Sequence, residues 1–507
     1  MTITADGSPA LPRQAASADP DYPSFHLAPP QGRLNDPNGL VVRDGVYHAF
    51  FQYGPSFPRE RLVYWGHASS ADLINWRQHA PAIAPDSWYD RSGAYSGGAV
   101  VHDGEVWLYY TGNVKTEAGV RESYQCLVST ADLETFSKDP DNPLIAGPPP
   151  GYTAHFRDPQ VVAEADGWRM CIGAQRDDLS GCVLVYRSDD LRTWTLDGEL
   201  GLPDSGGRFE RFGYMWECPN LLRIPDEVTG EYWDVLIFCP QGVGPIGDQF
   251  QNIFPCGYLI GRWDGHALRQ TGEFIELDRG FEFYAPQAFA SEDGQAKEPV
   301  LLGWLGNASE DDQPSLTDHG WVHLLSVPRR LSVRNGRLIQ RIAPAGLDPR
   351  GARSAQKLAI EGAVVCDESV GLAELRDQRS FVLDAEIDQA AASSWELRLQ
   401  SGASKVVFSF ERGRLTVDRR ATRYPHGQLR TIDLPDDEVL RVQLVHDRSA
   451  TELFIGDGHT VFSLRSYLEP GEFTVALAAR GSIAVHRAEA VVVNEAIATT
   501  DGPRAAR

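Results

Sequence analysis

Apolar and polar residues alternate over short runs along most of the chain, and stretches with a helical period are scarce. Val46-Tyr47-His48-Ala49-Phe50-Phe51 follows the turn signal Asp44-Gly45, and Val106-Trp107-Leu108-Tyr109-Tyr110 follows Asp103-Gly104. Runs of this kind between turn residues predict strands joined by hairpins. The pattern also repeats. Ala71-Asp72-Leu73-Ile74-Asn75-Trp76, Ala131-Asp132-Leu133-Glu134-Thr135-Phe136 and Asp189-Asp190-Leu191-Arg192-Thr193-Trp194 recur with their aspartates 60 and 58 residues apart. A second motif sets polar residues before an apolar run, at Asp36-Pro37-Asn38-Gly39, Ser96-Gly97-Gly98, Asp158-Pro159-Gln160, Glu217-Cys218-Pro219-Asn220 and Tyr284-Ala285-Pro286-Gln287. Its lead residues are separated by 60, 62, 59 and 67 positions. Five units of one size, each a few strands long, predict a five-bladed β-propeller whose inner strands line a central channel. A sandwich with coincidental spacing would account for the strands but not for the matched content of the strings.

Beyond residue 340 the texture changes. Residues 341–357 carry two prolines and two glycines without apolar periodicity and read as a linker. From Leu358 alternation resumes, as in Val406-Val407-Phe408-Ser409-Phe410 and Leu440-Arg441-Val442-Gln443-Leu444-Val445. The expected organisation is all-β, with a five-bladed β-propeller over 22–340 and a β-sandwich over 358–495. The last dozen residues read as a frayed tail.

Composition narrows the choice of partners. The 507 residues hold 70 Asp and Glu against 47 Lys and Arg, a formal charge of −23, which disfavours nucleic acid and anionic membrane surfaces. The seven cysteines are scattered and form no C-x-x-C pair, which fits free thiols in a reducing compartment. Residues 1–20 lack the basic and apolar regions of a leader, and no run approaches the ~18 apolar residues of a membrane span. A cytoplasmic location is expected. The 13 histidines include no H-x-H or H-E-x-x-H string, so neither a metal nor another cofactor is expected.

Three of the five lead residues or their equivalents are acids: Asp36, Asp158 and Glu217. If each motif opens an inner strand, the three meet at the channel despite their separation in sequence. Glycoside hydrolysis needs such carboxyl groups, one to protonate the leaving oxygen and one to attack or to activate water. Spacing alone does not divide the roles, and any one of these acids could be a turn cap. A thiol nucleophile at Cys218 would need a base such as His67 or His155, and nothing in the spacing pairs them.

These residues carry a resemblance to glycoside hydrolase family 32, the invertase or β-fructofuranosidase family, and within it to the intracellular bacterial sucrose or sucrose-6-phosphate hydrolases. The matching motifs, in the family's order, are Asn35-Asp36-Pro37-Asn38-Gly39, Trp65-Gly66-His67, Tyr95-Ser96-Gly97, Phe156-Arg157-Asp158-Pro159, Trp216-Glu217-Cys218-Pro219, Phe283-Tyr284-Ala285-Pro286-Gln287 and Gly303-Trp304-Leu305. The resemblance implies a retaining, double-displacement hydrolysis at C2 of a terminal β-D-fructofuranosyl unit of sucrose or short fructo-oligosaccharides. It implies Asp36 as nucleophile, Glu217 as general acid and then base, and Asp158 as transition-state stabiliser. Sugar-binding positions map onto Asn35, Gln52, Tyr95, Ser96, Arg157, Tyr284 and Trp304. Amides, hydroxyls and a guanidinium suit sugar hydroxyls, and aromatic faces suit the ring. The sequence departs from the family where Arg33-Leu34 stands for a common Trp-Met, where Glu282 stands for a common Asp, and over Ser56–Arg61, where several relatives carry a tryptophan beside the leaving group.

Alternatives remain open at this level. Arg59 and Arg61 would suit the phosphate of sucrose 6-phosphate, and the same covalent intermediate would serve a fructosyltransferase. A carbohydrate-binding propeller without catalysis is the reading from a different class, and it has no need of all three acids.

Overall fold

The structure is a computed structural model that describes residues 19–291, 298–411, 413–427, 429–435 and 437–493. The tail expected over the last dozen residues lies outside them. Five antiparallel sheets form the propeller, as expected. Their inner strands are β1 (Gly32–Arg43), β2 (Ala94–His102), β3 (Tyr152–Glu164), β4 (Met215–Pro225) and β5 (Tyr284–Ala288), and the next strands step outward from each. The first sheet takes one more strand, Trp321–Val322, which runs parallel to β1 through the pairs Gly32↔Trp321 and Arg33↔Val322. A late segment of the chain thus closes the ring onto its first blade.

The sixty-residue repeat has a local physical cause. In three blades, the turn after the third strand is capped by a hydroxyl and a carboxylate. Ser70 Oγ, Thr130 Oγ1 and Ser188 Oγ accept from the N–H groups of Leu73, Leu133 and Leu191. Asp72, Asp132 and Asp190 accept from the two N–H groups that follow each leucine. Each leucine adopts φ of 58–65°, a left-handed conformation that these caps hold.

Blades pack face to face. Phe50 and Trp65 of the first blade share a core with Leu108, Tyr110 and Cys126 of the second, and Tyr109 and Leu127 with Phe156, Met170 and Leu184 of the third. Full burial of each such side chain contributes about 1.5–3 kcal/mol. All seven cysteines are free, and six are buried.

The sandwich is built on one long strand, β6 (Phe473–Val492). Its first half pairs with Ala392–Ser401 and its second half with Ser380–Asp388, so it passes from one sheet to the other around Gly481, at φ 80°. Leu383, Leu397, Phe408, Leu444 and Phe462 fill the space between the sheets. The segment read as a linker is packed: Leu347 is buried with Val327, Val382 and Phe454, and Gln356 and Lys357 already pair with β6.

Between propeller and sandwich lies a buried ionic seam. His26 bridges Asp447 (2.9 Å) and Glu452 (3.0 Å). Arg329 Nη2 donates to Asp278 (2.9 Å) and Glu452 (2.5 Å). From the sandwich, Arg419 donates to Glu282 at 2.5 Å, two residues before Tyr284.

Candidate active site

Proline within an inner strand forces a local solution, because it donates no ladder hydrogen bond. Each inner strand is bulged at its motif. Register shifts fall between Leu34 and Pro37 in β1, Tyr95 and Gly97 in β2, Glu217 and Asn220 in β4, and Tyr284 and Gln287 in β5; in β3 a shift spans Arg157 to Gln160. The residues before three of these prolines, Asp158, Cys218 and Ala285, have φ of 65°, 50° and 46°. This left-handed geometry is strained for residues with a Cβ, and a bulge turns side chains into the channel that a regular ladder would aim elsewhere. In β2 two glycines replace the proline: a Cβ on Gly97 would lie 1.9 Å from Tyr109 O, and one on Gly98 3.1 Å from Pro159 O of the next blade.

The amides that follow the prolines tie the inner strands of different blades together. Gln160 Oε1 accepts from Leu221 N–H (3.0 Å), Asn220 Nδ2 donates to Pro286 O (3.1 Å), and Gln287 accepts from Leu40 N–H (3.0 Å) while donating to Gly97 O (2.8 Å). The inner strands that carry the acids are therefore fixed relative to one another.

Asp36 is ringed by donors. Asn35 Nδ2 donates to its Oδ1 at 3.0 Å, and Ser96 Oγ and Gln52 Nε2 donate to its Oδ2 at 2.5 and 3.2 Å. Withdrawal from water pushes the Asp36 carboxyl above the usual range, the bonds from Ser96 and Asn35 pull it down, the Glu217 charge pushes it up and the Arg33 charge lowers it. Three donors and no acceptor suit an ionised carboxylate.

Glu217 has a different set of partners. Arg157 gives two N–H groups to Oε1, at 2.8 and 2.5 Å, while Gln241 Nε2 and the Tyr284 hydroxyl reach Oε2, both at 2.6 Å. Burial and the Glu217 charge hold the Tyr284 hydroxyl well above its usual range, so it stays protonated. A hydroxyl can donate or accept, so this contact survives a proton on Glu217. Arg157 also contacts His155 at 2.8 Å, and burial followed by that guanidinium lowers the imidazole to about 4.

Asp158 is buried, and its Oδ2 accepts the Cys218 N–H at 3.0 Å. Burial raises it to about 7, with Glu217 and Asp36 adding to the rise and Arg157 opposing it. Burial and the same carboxylates push the Cys218 thiol well above its usual range, which disfavours a thiolate there. Among the described residues no group of three or more His, Cys, Asp or Glu is placed to hold a metal ion.

The expected site residues fall into two groups. Asn35, Gln52 and Ser96 surround Asp36, and Arg157 and Tyr284 surround Glu217. Trp304 is buried, edge-on to Tyr284 at 6.3 Å and under the Arg33 guanidinium at 5.0 Å. Tyr95 contributes its carbonyl to Trp65 Nε1 (3.0 Å) and lays its ring against Gly93, outside the network on the acids.

Two residues had escaped the sequence reading. Gln241 stands opposite Met215 in the hairpin register, and Thr111 Oγ1 accepts the Asp158 N–H at 3.0 Å. Both lie in the second half of the second strand of a blade, as Gln52 does; that shared position was the available signal.

Comparison with known proteins bears on the whole chain. The model of the glycosyl hydrolases family 32 N-terminal domain matches residues 26–342, and that of the family 32 C terminal matches 351–494. A sucrose-6-phosphate hydrolase of Bacillus subtilis is 36% identical over 92% of this chain and 93% of its own, and a raffinose invertase of Escherichia coli is 37% identical over 88% and 89%. Among solved structures, sucrose-6-phosphate hydrolase from Lactobacillus gasseri superposes with a TM-score of 0.81 at 30% identity, covering 95% of both chains. A β-fructofuranosidase from Bombyx mori gives 0.77 at 28% identity over 95% and 96%.

Proposed function

The chain belongs to glycosyl hydrolase family 32 and is a glycoside hydrolase of the β-fructofuranosidase class; on that premise we propose the division of labour in its site and its substrates. Asp36 attacks C2 of the fructosyl unit as Glu217 passes its proton to the leaving oxygen, giving a fructosyl ester on Asp36 and a free leaving sugar. Glu217, now ionised, takes a proton from water, the oxygen of which attacks C2 and releases Asp36. Two displacements retain configuration. Asp158 accepts hydrogen bonds from ring hydroxyls that strengthen as charge develops at C2. Asn35, Gln52, Tyr95, Ser96, Arg157, Tyr284 and Trp304 form the fructosyl pocket.

The observation that carries this reading is the convergence of three acids from three inner strands, with Asp36 held by Asn35, Gln52 and Ser96, Glu217 held by Arg157, Gln241 and Tyr284, and Asp158 bonded to the N–H of the residue after Glu217. Sucrose and short fructo-oligosaccharides are the proposed substrates, and the buried free thiols support a cytoplasmic location. Among the described residues no helix is long and apolar enough to cross a membrane.

Sucrose 6-phosphate is the second reading. Arg61 is exposed and lies over the Phe57 ring at 5.2 Å, with Arg33 at 5.8 Å from the same ring. The arrangement puts two guanidinium groups around one aromatic beside the nucleophile strand, and guanidinium groups suit phosphate. The deciding experiment compares sucrose, sucrose 6-phosphate, kestose and inulin with the purified protein and its D36A and E217A variants, following fructose release and transfer products together. Turnover by wild type with loss in both variants supports the assignment; full activity in either variant sinks it.

A further inference from the structure

A line of hydrogen bonds links the sandwich to Asp36, with donors converging on Asp311 from both sides. Arg465 Nη1 donates to Gln313 Oε1 at 2.8 Å, which leaves the Gln313 amide nitrogen facing His323 Nδ1 at 3.4 Å. The buried imidazole, lowered to about 4 by burial, is neutral, so its other nitrogen carries the proton and donates to Asp311 Oδ1 at 3.0 Å. Arg33 Nε donates to the same Asp311 oxygen, and Arg33 Nη1 donates to Asn35 Oδ1, both at 2.7 Å.

That last contact has consequences for the nucleophile. A side-chain amide fits its density of neighbours in either of two orientations, and its partners decide which one holds. With its oxygen taken by a cation, Asn35 must present its NH2 group, which reaches Asp36 Oδ1 (3.0 Å) and Gln52 Oε1 (2.8 Å). With its own oxygen taken, Gln52 must in turn present NH2 to Asp36 Oδ2 and to Ser96 Oγ. Ser96 then has its proton free for Asp36 Oδ2, at 2.5 Å. Reversing Asn35 would set a carbonyl oxygen against a carboxylate.

We infer that Arg33, clamped between Asp311 and Asn35, is a positioning residue that orients the Asn35 and Gln52 amides and so keeps the nucleophile ionised and aligned. The inference rests on the assignment of Asp36 as nucleophile. Asp36 is faced by Asp158 from β3, by Glu217 and the Cys218 thiol from β4, and by Arg33 from its own strand, which alone in this group lowers its carboxyl. Loss of the cation therefore moves Asp36 upward, and activity fails at a higher pH on the acid side.

The test uses the full chain on sucrose, measuring kcat and KM from about pH 4 to 8 for wild type, R33M, R33K and D36A. In R33M the expected results are a fall in kcat of about tenfold or more, KM within about threefold, and an acid limb raised by about half a pH unit. R33K keeps the charge and returns the limb to its wild-type position. R33Q, uncharged but still a donor, carries the same limb readout where R33M does not fold. A wild-type limb in R33M and R33Q, or a loss confined to KM, overturns the inference. If D36A is dead beside an unaltered R33M, only this inference fails; an active D36A removes the nucleophile assignment and this inference with it.

Discussion

The Tyr284 hydroxyl donates to Glu217 Oε2 at 2.6 Å, joining the fifth blade to the fourth at the proposed acid/base. On the proposed mechanism Glu217 alternates between holding and lacking a proton, and of its neighbours Tyr284 is the one that can reverse its bond without moving. Tyr284→Phe leaves Gln241 and Arg157 in place. The expected outcome is a kcat lowered about 10- to 100-fold with KM little changed, read from steady-state kinetics on sucrose.

Substitution of Asp158 is expected to move activity and stability in opposite senses. Its folded value of about 7 lies above the ordinary 3.8, so the folded state holds its proton more tightly than the unfolded chain. The stabilisation this confers is complete below about pH 4 and is lost as pH rises through about 7. Asp158→Asn should therefore melt above wild type at pH 8, with the difference shrinking toward pH 4, while fructose release falls by at least about 10²-fold. Calorimetry and the sucrose assay, run on one preparation, check both halves.

His26 responds to pH from another place. Burial alone would push its imidazole down, but bonds to Asp447 and Glu452 more than reverse this and raise it to about 9 from 6.5. Its charged form stabilises the fold fully below pH 6.5, and that contribution disappears as pH climbs through about 9. The melting-temperature gap between wild type and His26→Gln should narrow over that interval. A constant gap would show that His26 acts by packing alone.

Arg419 and Glu282 form a pair without side-chain exposure between the two modules. Arg419→Met leaves the Glu282 carboxylate buried, with the Arg465 N–H as its remaining named donor, at 3.0 Å. Removal of one partner from a buried pair costs about 3–5 kcal/mol. Urea unfolding should show this as an earlier midpoint, and inactivation should track the same transition because Glu282 anchors the start of β5.

Much of this architecture was legible because its signals are local. A capped turn such as Ser70–Asp72–Leu73 needs fixed residue types at fixed offsets, so it repeats visibly in the sequence. A polar motif before an apolar run recurs at even spacing, and that spacing locates Asp36, Asp158 and Glu217 before any coordinate is known. The partners of those acids were harder to find. Gln241 reaches Glu217 through hairpin register, and Asp311 reaches Arg33 from 278 positions away. Nothing near Asp311 in sequence announces its role. Arg33 registered as a departure from the family pattern, and its function became visible once Asp311 and Asn35 stood on either side of it. The packed state of residues 343–347 was hidden for a related reason, since Leu347 finds its apolar neighbours in both modules.

The closure of the ring at Trp321–Val322 has a consequence for the life of the chain before it is finished. The strand that bears Asp36 is among the first to leave the ribosome, yet the partner beside Gly32 and Arg33 is made only after all five inner strands exist. Asp311, which clamps Arg33, arrives late as well. A chain that stops short of Val322 thus carries its proposed nucleophile without the setting that aligns it, and the power to cleave sugar is expected only once synthesis has passed that strand.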